Sequence, residues 1–278
     1  MNADREKNPA LVRVGRRPIR MCAPELIDER LAQAERLWLF VDYDGTVAEF
    51  APTPDYIAPV QQVVDLMTKL AQHPRLRVAV ISGRRLDHVQ SLLPVAGVWL
   101  GGTYGIELQT PQGERLHRVT YSDVRPALDA LKPRWQELLE GRKGFFLEDK
   151  GWTLALHARF AEDQAAGEVL GAARPMAEEA AYSGPFRILD GYKFLELGPT
   201  LAHKGRAVEY ILKEYAWPGA LPVYLGDDDR DEEAFGAIKA HGGVAILVTG
   251  TPRSSQADCF LESPHATRQW LETLLTRQ

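Results

Sequence analysis

The sequence predicts an α/β fold, a Rossmann-like parallel-sheet core interrupted by an inserted α+β cap domain. Three observations carry this reading. Apolar runs of strand length alternate with helix-like stretches between residues 36 and 120, the same alternation returns after residue 197, and the segment 121–196 between them reads as a helix-strand-strand unit used twice. Strands that alternate with helices build a parallel sheet covered on both faces, and ligands bind outside the carboxyl ends of its strands. Two adjacent strands per helix pair instead as an antiparallel sheet covered on one face.

Taken in order, residues 1–23 mix charges with Gly and Pro without periodicity, which reads as a mobile arm, and 24–36 read as a helix. Residues 1–35 thus precede the core. LWLFVDY (37–43) is a continuous apolar run of the kind found in strands buried on both faces, and it ends on Asp42. A helical stretch 59–72 leads to strand LRVAVIS (76–82), and another from about Arg85 leads to VWLG (98–101). The insert reads as helix 123–140, strands 144–149 and 152–158, helix 162–181, and strands 185–190 and 193–198. The second core segment, 197–278, holds helix 203–215, strand LPVYLGD (221–227), helix 231–240, strand VAILV (244–248) and helix 264–275.

Composition narrows the function classes. The chain has 278 residues, 45% hydrophobic and 26% charged, enough for a substantial core without staples. A net charge of -5 offers no basic field to nucleic acid or to an anionic membrane surface, so neither is expected as a partner. No apolar stretch approaches the ~20 residues of a membrane-spanning helix. Arg16-Arg17 lacks the apolar run that would make it an export signal. The two cysteines, Cys22 and Cys259, are far apart and without metal-ligand spacing, so neither a disulfide framework nor a zinc site is expected, and a cytoplasmic location fits.

Four short elements carry chemistry. Asp42-Tyr43-Asp44-Gly45-Thr46 sets two carboxylates two residues apart after a buried strand, with a glycine to turn the chain. One could attack phosphorus while the other handles the proton, although an Asp-Gly turn alone is also a common helix cap. Ser82-Gly83-Arg84 offers a hydroxyl and free N–H groups to phosphate oxygens, or simply caps a helix. His203-Lys204-Gly205-Arg206 starts a helix with a lysine, solvent-facing in most proteins but charge-neutralising beside a phosphate. Gly226-Asp227-Asp228-Asp229-Arg230-Asp231-Glu232-Glu233 crowds like charges at a strand end, which suits a hard cation, with Mg2+ the first choice. A helix start favoured by the dipole would explain Asp231 and Glu232 but not Asp227.

In order and strand-end context these four elements resemble the motifs of the haloacid dehalogenase superfamily of phosphohydrolases, over roughly residues 36–275. The resemblance implies that Asp42 is a nucleophile and Asp44 a general acid and base, that Ser82, Gly83 and Lys204 hold phosphate, and that Arg84 meets substrate. It implies Mg2+ ligands from Asp42, the Asp44 carbonyl and Asp227, with Asp228 and Asp231 in support. Within the superfamily, FFLEDKGWTLALHAR (145–159), GYKFLELGP (191–199) and LGDDDRDEEAF resemble trehalose-6-phosphate phosphatases. That likeness makes Glu148, Lys150, His157, Arg159, Lys193 and Glu196 candidate sugar contacts, against the plain alternative that charged residues on a strand face solvent. Tyr104 and Arg230 stand where the family pattern has a histidine and a threonine.

The implied enzyme is a phosphoric monoester hydrolase acting on a small-molecule sugar phosphate, working as a monomer or weak oligomer. Rival readings are a phosphatase for mannosyl-3-phosphoglycerate or sucrose phosphate, a phosphosugar mutase, and a non-catalytic sugar-phosphate sensor. The last would tolerate loss of Asp42, Asp44 and Asp227, all of which are present.

Overall fold

The strand Arg36–Val41 is buried everywhere but at its first residue, as a strand with a partner on each side and helices on both faces must be. It pairs in parallel with Ala220–Gly226 on one side and Leu76–Ile81 on the other. In the computed structural model, which describes residues 17–18, 20–21, 24–50, 56–251 and 253–276, these strands centre a nine-stranded sheet. From one edge to the other its order is Arg20–Met21, Cys259–Leu261, Val244–Val248, Ala220–Gly226, Arg36–Val41, Leu76–Ile81, Trp99–Gly102, Glu107–Gln109 and Arg115–His117. The first seven pair in parallel and the last two extend the edge as an antiparallel hairpin.

Side chains alternate across this sheet, so each strand feeds two cores. Leu39, Val41, Val78 and Val80 point to one face, against Val63, Met67 and Leu70 of helix Gln61–Gln72 and Leu271 of helix Pro264–Leu274. Trp38, Phe40, Ala79 and Ile81 point to the other, against Val208 and Ile211 of helix Lys204–Glu214 and Phe235 and Ile238 of helix Asp231–Ala240. From Arg36–Val41 the chain winds first toward Leu76–Ile81, and after the insert it returns on the opposite side at Ala220–Gly226. The crevice between those two strands is therefore a topological switch point, where open α/β sheets bind ligands. Asp42 and Asp227 each follow one of its strands.

The insert forms a separate four-stranded antiparallel sheet in the order Phe186–Gly191, Phe194–Pro199, Leu154–His157 and Phe146–Asp149. Helices Tyr121–Leu139 and Asp163–Tyr182 bury Leu128, Leu131, Trp135, Val169 and Ala173 against Leu154, Leu156, Leu195 and Leu197. Tyr104 and Ile106, from the first core segment, join this same cluster.

Several details differ from the sequence reading. The last strand of the insert is Phe194–Pro199, one residue later at each end than the 193–198 read from the sequence. The hairpin of Glu107–Gln109 and Arg115–His117 was not anticipated, because strands of three residues carry no measurable period. Most of the arm 1–23 lies outside the described residues, but Arg17–Pro18 pairs with Ser254–Ser255 and Arg20–Met21 with Cys259–Phe260, so part of it is strand. Cys259 is disulfide-bonded, which corrects the expectation of none. Edge pairing of Arg20 with Cys259 brings segments together that are far apart in sequence. Among the described residues, no helix is long and apolar enough to cross a membrane.

Candidate active site

Asp42 leaves the end of its strand with its amide still bonded to Leu225 O in the neighbouring strand, so its carboxylate is anchored at the switch point. Tyr43 N donates to Asp42 Oδ1 at 2.7 Å, and Lys204 Nζ lies 2.7 Å from Oδ2. The turn that follows needs Gly45: its φ is +75°, and a Cβ there would fall 2.4 Å from Asp227 Oδ2. Thr46 Oγ1 donates to Asp227 Oδ1 at 3.0 Å, which ties the two strand-end loops together.

Lys204 is buried and spans two carboxylates, Asp42 and Asp231, each at 2.7 Å. Burial alone would lower its pKa, but Asp231 and Asp42 outweigh it, hold the ammonium charged and push the pKa well above the ordinary value. Asp231, fully buried, also accepts from Tyr224 Oη and from the backbone N–H groups of Asp227 and Asp228. Its carboxylate is thus the internal frame of the acidic loop. Asp228 pairs with Arg230 Nε at 2.9 Å, and Lys204 and Arg230 overcome its burial to hold it ionised well below the usual carboxylate range.

Asp42 and Asp227 are the less balanced members. Burial first, then the neighbouring acids, raises Asp42 well above the usual range despite Lys204, and pushes Asp227 up to about 7. Carboxylate oxygens of Asp42, Asp227 and Asp231 lie within 4.8 Å of one another. An all-oxygen donor set around under-compensated carboxylates suits a hard divalent cation, so the residues fit a metal.

Above these groups opens a cavity of about 620 Å3, between the core loops and the insert sheet. Most of the residues singled out from sequence line it: Asp42, Asp44, Ser82, Gly83, Arg84, Lys204, Asp227 and Asp228 from the core, and Glu148, Lys150, His157, Arg159 and Lys193 from the insert. Ser82 is buried, and its Oγ accepts from Arg84 N. His157 stacks face to face on Phe146 and bonds Glu148 at 2.9 Å, an interaction that keeps Glu148 below its ordinary pKa in spite of burial. Arg159 has no hydrogen-bond partner among the described residues.

Three expected contacts sit differently. Glu196 does not line the cavity: it is 0% exposed, and Tyr104 Oη, Lys150 Nζ and Thr153 Oγ1 all donate to it. Lys193 lines the wall, but its amine bonds Ala161 O and Asp163, both at 2.6 Å. Arg84 turns its guanidinium onto Asp44, with Nε 2.5 Å from Oδ2 and Nη2 2.8 Å from Oδ1, instead of into open space. Each is already matched by a neighbour distant in sequence. Conversely, Phe50, Tyr104, Phe146, Phe160, Tyr192, Phe194 and Arg230 line the cavity without having been singled out as site residues. For Arg230 a signal existed, since it is the one cation within the acidic run.

Comparison with known proteins agrees with this arrangement. The trehalose-phosphatase family model matches residues 40–265. The chain is 34% identical over 245 residues to a trehalose-phosphate phosphatase of Mycolicibacterium paratuberculosis, covering 85% of this chain and 61% of that protein. It is 25% identical over 264 residues to a trehalose 6-phosphate phosphatase of Zea mays, covering 89% and 72%. The chain spans about 61% of the length of the first of these curated relatives. In structure it resembles the C-terminal domain of a C. albicans trehalose-6-phosphate phosphatase, with a TM-score of 0.82 at 17% identity over 94% of this chain and 99% of that one. A trehalose-6-phosphate phosphatase of Aspergillus fumigatus gives 0.68 at 23% identity, over 94% and 100%. The fold is thus of the haloacid dehalogenase type, and the chain belongs to the trehalose-phosphatase family.

Proposed function

We propose that this chain hydrolyses trehalose 6-phosphate to trehalose and inorganic phosphate through an aspartyl-phosphate, with Mg2+ held by Asp42, the Asp44 carbonyl and Asp227. The observation that carries the reading is a carboxylate, Asp42, fixed at the floor of the cavity by Lys204 and an N–H group. The family supplies the substrate class. Attack by Asp42 on phosphorus forms the Asp42 O–P bond and breaks the bond from phosphorus to the sugar oxygen, to which Asp44 delivers a proton. Asp44 then takes a proton from the water that cleaves the acyl phosphate and regenerates Asp42. Lys204 and the Ser82 hydroxyl hold the transferring oxygens, and Mg2+, when bound, supplies positive charge against the charge they carry.

The Asp44–Arg84 pair bears on this scheme. Arg84 covers both oxygens of Asp44, so Asp44 can turn toward the leaving oxygen only when this pair opens. The insert sheet, lying over the cavity, excludes bulk water from the acyl phosphate.

The test is phosphate release over a panel of trehalose 6-phosphate, sucrose 6-phosphate, mannosyl-3-phosphoglycerate and glucose 6-phosphate. Trehalose 6-phosphate is expected to lead in kcat/KM by about 10-fold or more, the scale of one well-made polar contact. Another leader on the panel overturns the substrate assignment, and no release from any of them overturns the phosphatase reading.

A further inference from the structure

Arg230 sits in the acidic loop, at the N-cap of helix Asp231–Ala240, and its guanidinium is held by both hydrogen bonds and rings. Nε donates to Asp228 Oδ2 at 2.9 Å, and Nη1 donates to Tyr104 Oη at 3.0 Å. The group also lies 5.7 Å from the centroid of the Tyr104 ring and 4.9 Å from that of Phe194, which belongs to the insert sheet. Tyr104 is itself immobilised: it is buried, held at φ 57°, and donates to the buried Glu196 at 2.7 Å. The backbone at Tyr104 is in a conformation that side-chain-bearing residues rarely adopt, and its amide bonds Ser82 O at 2.8 Å.

A guanidinium has three nitrogens in a rigid plane, and here two are anchored. The third, Nη2, has no hydrogen-bond partner among the described residues, although the residue lines the cavity. A planar donor orientated by two hydrogen bonds and two rings has already lost its side-chain freedom, so a contact made by Nη2 is not weakened by further ordering. The partner must be an acceptor oxygen of the ligand. Lys204 and Ser82 already serve the phosphate at the cavity floor, whereas Arg230 is tied to the insert through Tyr104, Glu196 and Phe194.

We propose that Arg230 is a specificity-determining residue whose Nη2 donates to a hydroxyl or ring oxygen of the sugar, with Tyr104 as its positioning residue. This rests on the reading of the cavity as a sugar-phosphate site. It makes the contact between core and insert part of substrate recognition, because the donor and its two hydrogen-bonding anchors are carried by the core but rest on Phe194 and, through Tyr104, on Glu196 of the insert.

The experiment compares kcat/KM on trehalose 6-phosphate and on 4-nitrophenyl phosphate, which offers the same phosphate without sugar oxygens. Arg230→Gln is expected to lower the first by 10- to 100-fold more than the second, the scale of a lost hydrogen bond to a charged group. Arg230→Lys keeps the charge but not the fork, and should recover less than half of that loss on a logarithmic scale. Tyr104→Phe keeps the ring and frees Nη1, so it should raise KM for the sugar phosphate alone, by a smaller factor. Thermal melting of each variant separates recognition from folding. Equal losses on the two substrates with an unchanged melting temperature place Nη2 on the phosphate and overturn the proposal. Equal losses with a lowered melting temperature make Arg230 a structural clasp and overturn it too, unless Tyr104→Phe, melting as wild type, still discriminates between the substrates. If wild type leads on a different sugar phosphate, that compound replaces trehalose 6-phosphate in the comparison, so the two readings fail separately.

Discussion

Asp42, the proposed nucleophile, shows how neighbours set the state of a buried carboxylate. Its carboxylate would be expensive to bury alone, and Lys204 and the Tyr43 amide compensate only part of that burial. Asp42→Asn should cut phosphate release at least about 1000-fold, because an amide does not attack phosphorus, while the circular dichroism spectrum stays that of wild type. Residual turnover above that level would remove Asp42 from the nucleophile's role. The same imbalance predicts a thermal effect independent of activity. Mg2+ at about 100 times its dissociation constant should stabilise the protein by about 3 kcal/mol, read as a rise in melting temperature that EDTA reverses. Asp227→Asn should abolish most of that rise, and an undiminished rise would place the cation elsewhere. That these residues gather at one set of strand ends was legible in the sequence, because DYDGT, SGR and the acidic run are contiguous and follow apolar strands. Arg84 and Glu196 were not: whether a charge faces a ligand depends on partners 40 and 46 residues away, Asp44 and Lys150, which no local pattern records.

Elements are legible in the sequence where their period is long enough to be seen. The two helix-strand-strand units of the insert emerge from amphipathic runs such as Val124, Leu128, Leu131 and Trp135, spaced to fall on one helix face. The short edge strands at Arg20–Met21 and Glu107–Gln109 did not, since pairing partners, not sequence, define them. How helix Tyr121–Leu139 is docked is equally a matter of tertiary partners: Arg125 Nη1 and Lys132 Nζ reach Asp149 at 2.7 and 2.9 Å, and Gly151 N donates to it as well. Burial opposes ionisation of Asp149, but these three donors win and hold its pKa far below the usual value. A depressed folded-state pKa contributes stability that is fully present above the unfolded value of about 4 and is lost as the pH falls below it. Asp149→Asn should therefore destabilise the protein by about 1–2 kcal/mol at neutral pH, a figure kept small because the group is partly solvated. The difference from wild type should shrink steadily as urea titrations are repeated from pH 5 down to about pH 2. A gap that stays constant with pH would mean that shape, not charge, holds the helix to the sheet.

At the scale of the molecule, the core and the insert meet through charges as well as apolar packing. Lys150, from the insert, is buried between Glu196 at 3.1 Å and the Gly83 carbonyl of the core at 3.1 Å, while Glu196 receives Tyr104 of the core at 2.7 Å. Burial would lower the Lys150 pKa, yet Glu196 and the other neighbours raise it, so the ammonium stays charged, and neither side chain has bulk water to fall back on. Removing one member leaves the other uncompensated, which costs about 3–5 kcal/mol, whereas replacing both with apolar side chains of similar volume is often close to neutral. Lys150→Met and Glu196→Met are accordingly each expected to lower stability by about that amount in urea, and the double variant to recover most of it. Activity should not return with stability. If Lys150 contacts the sugar from the cavity wall, the double variant will melt near wild type and still hydrolyse the sugar phosphate at least about 10-fold more slowly, with a smaller loss on 4-nitrophenyl phosphate. Simple additivity of the two single losses would show that the pair is not coupled. Full recovery of turnover in the double variant would show that this buried pair fixes how the insert sits on the core and takes no part in recognising what lies between them.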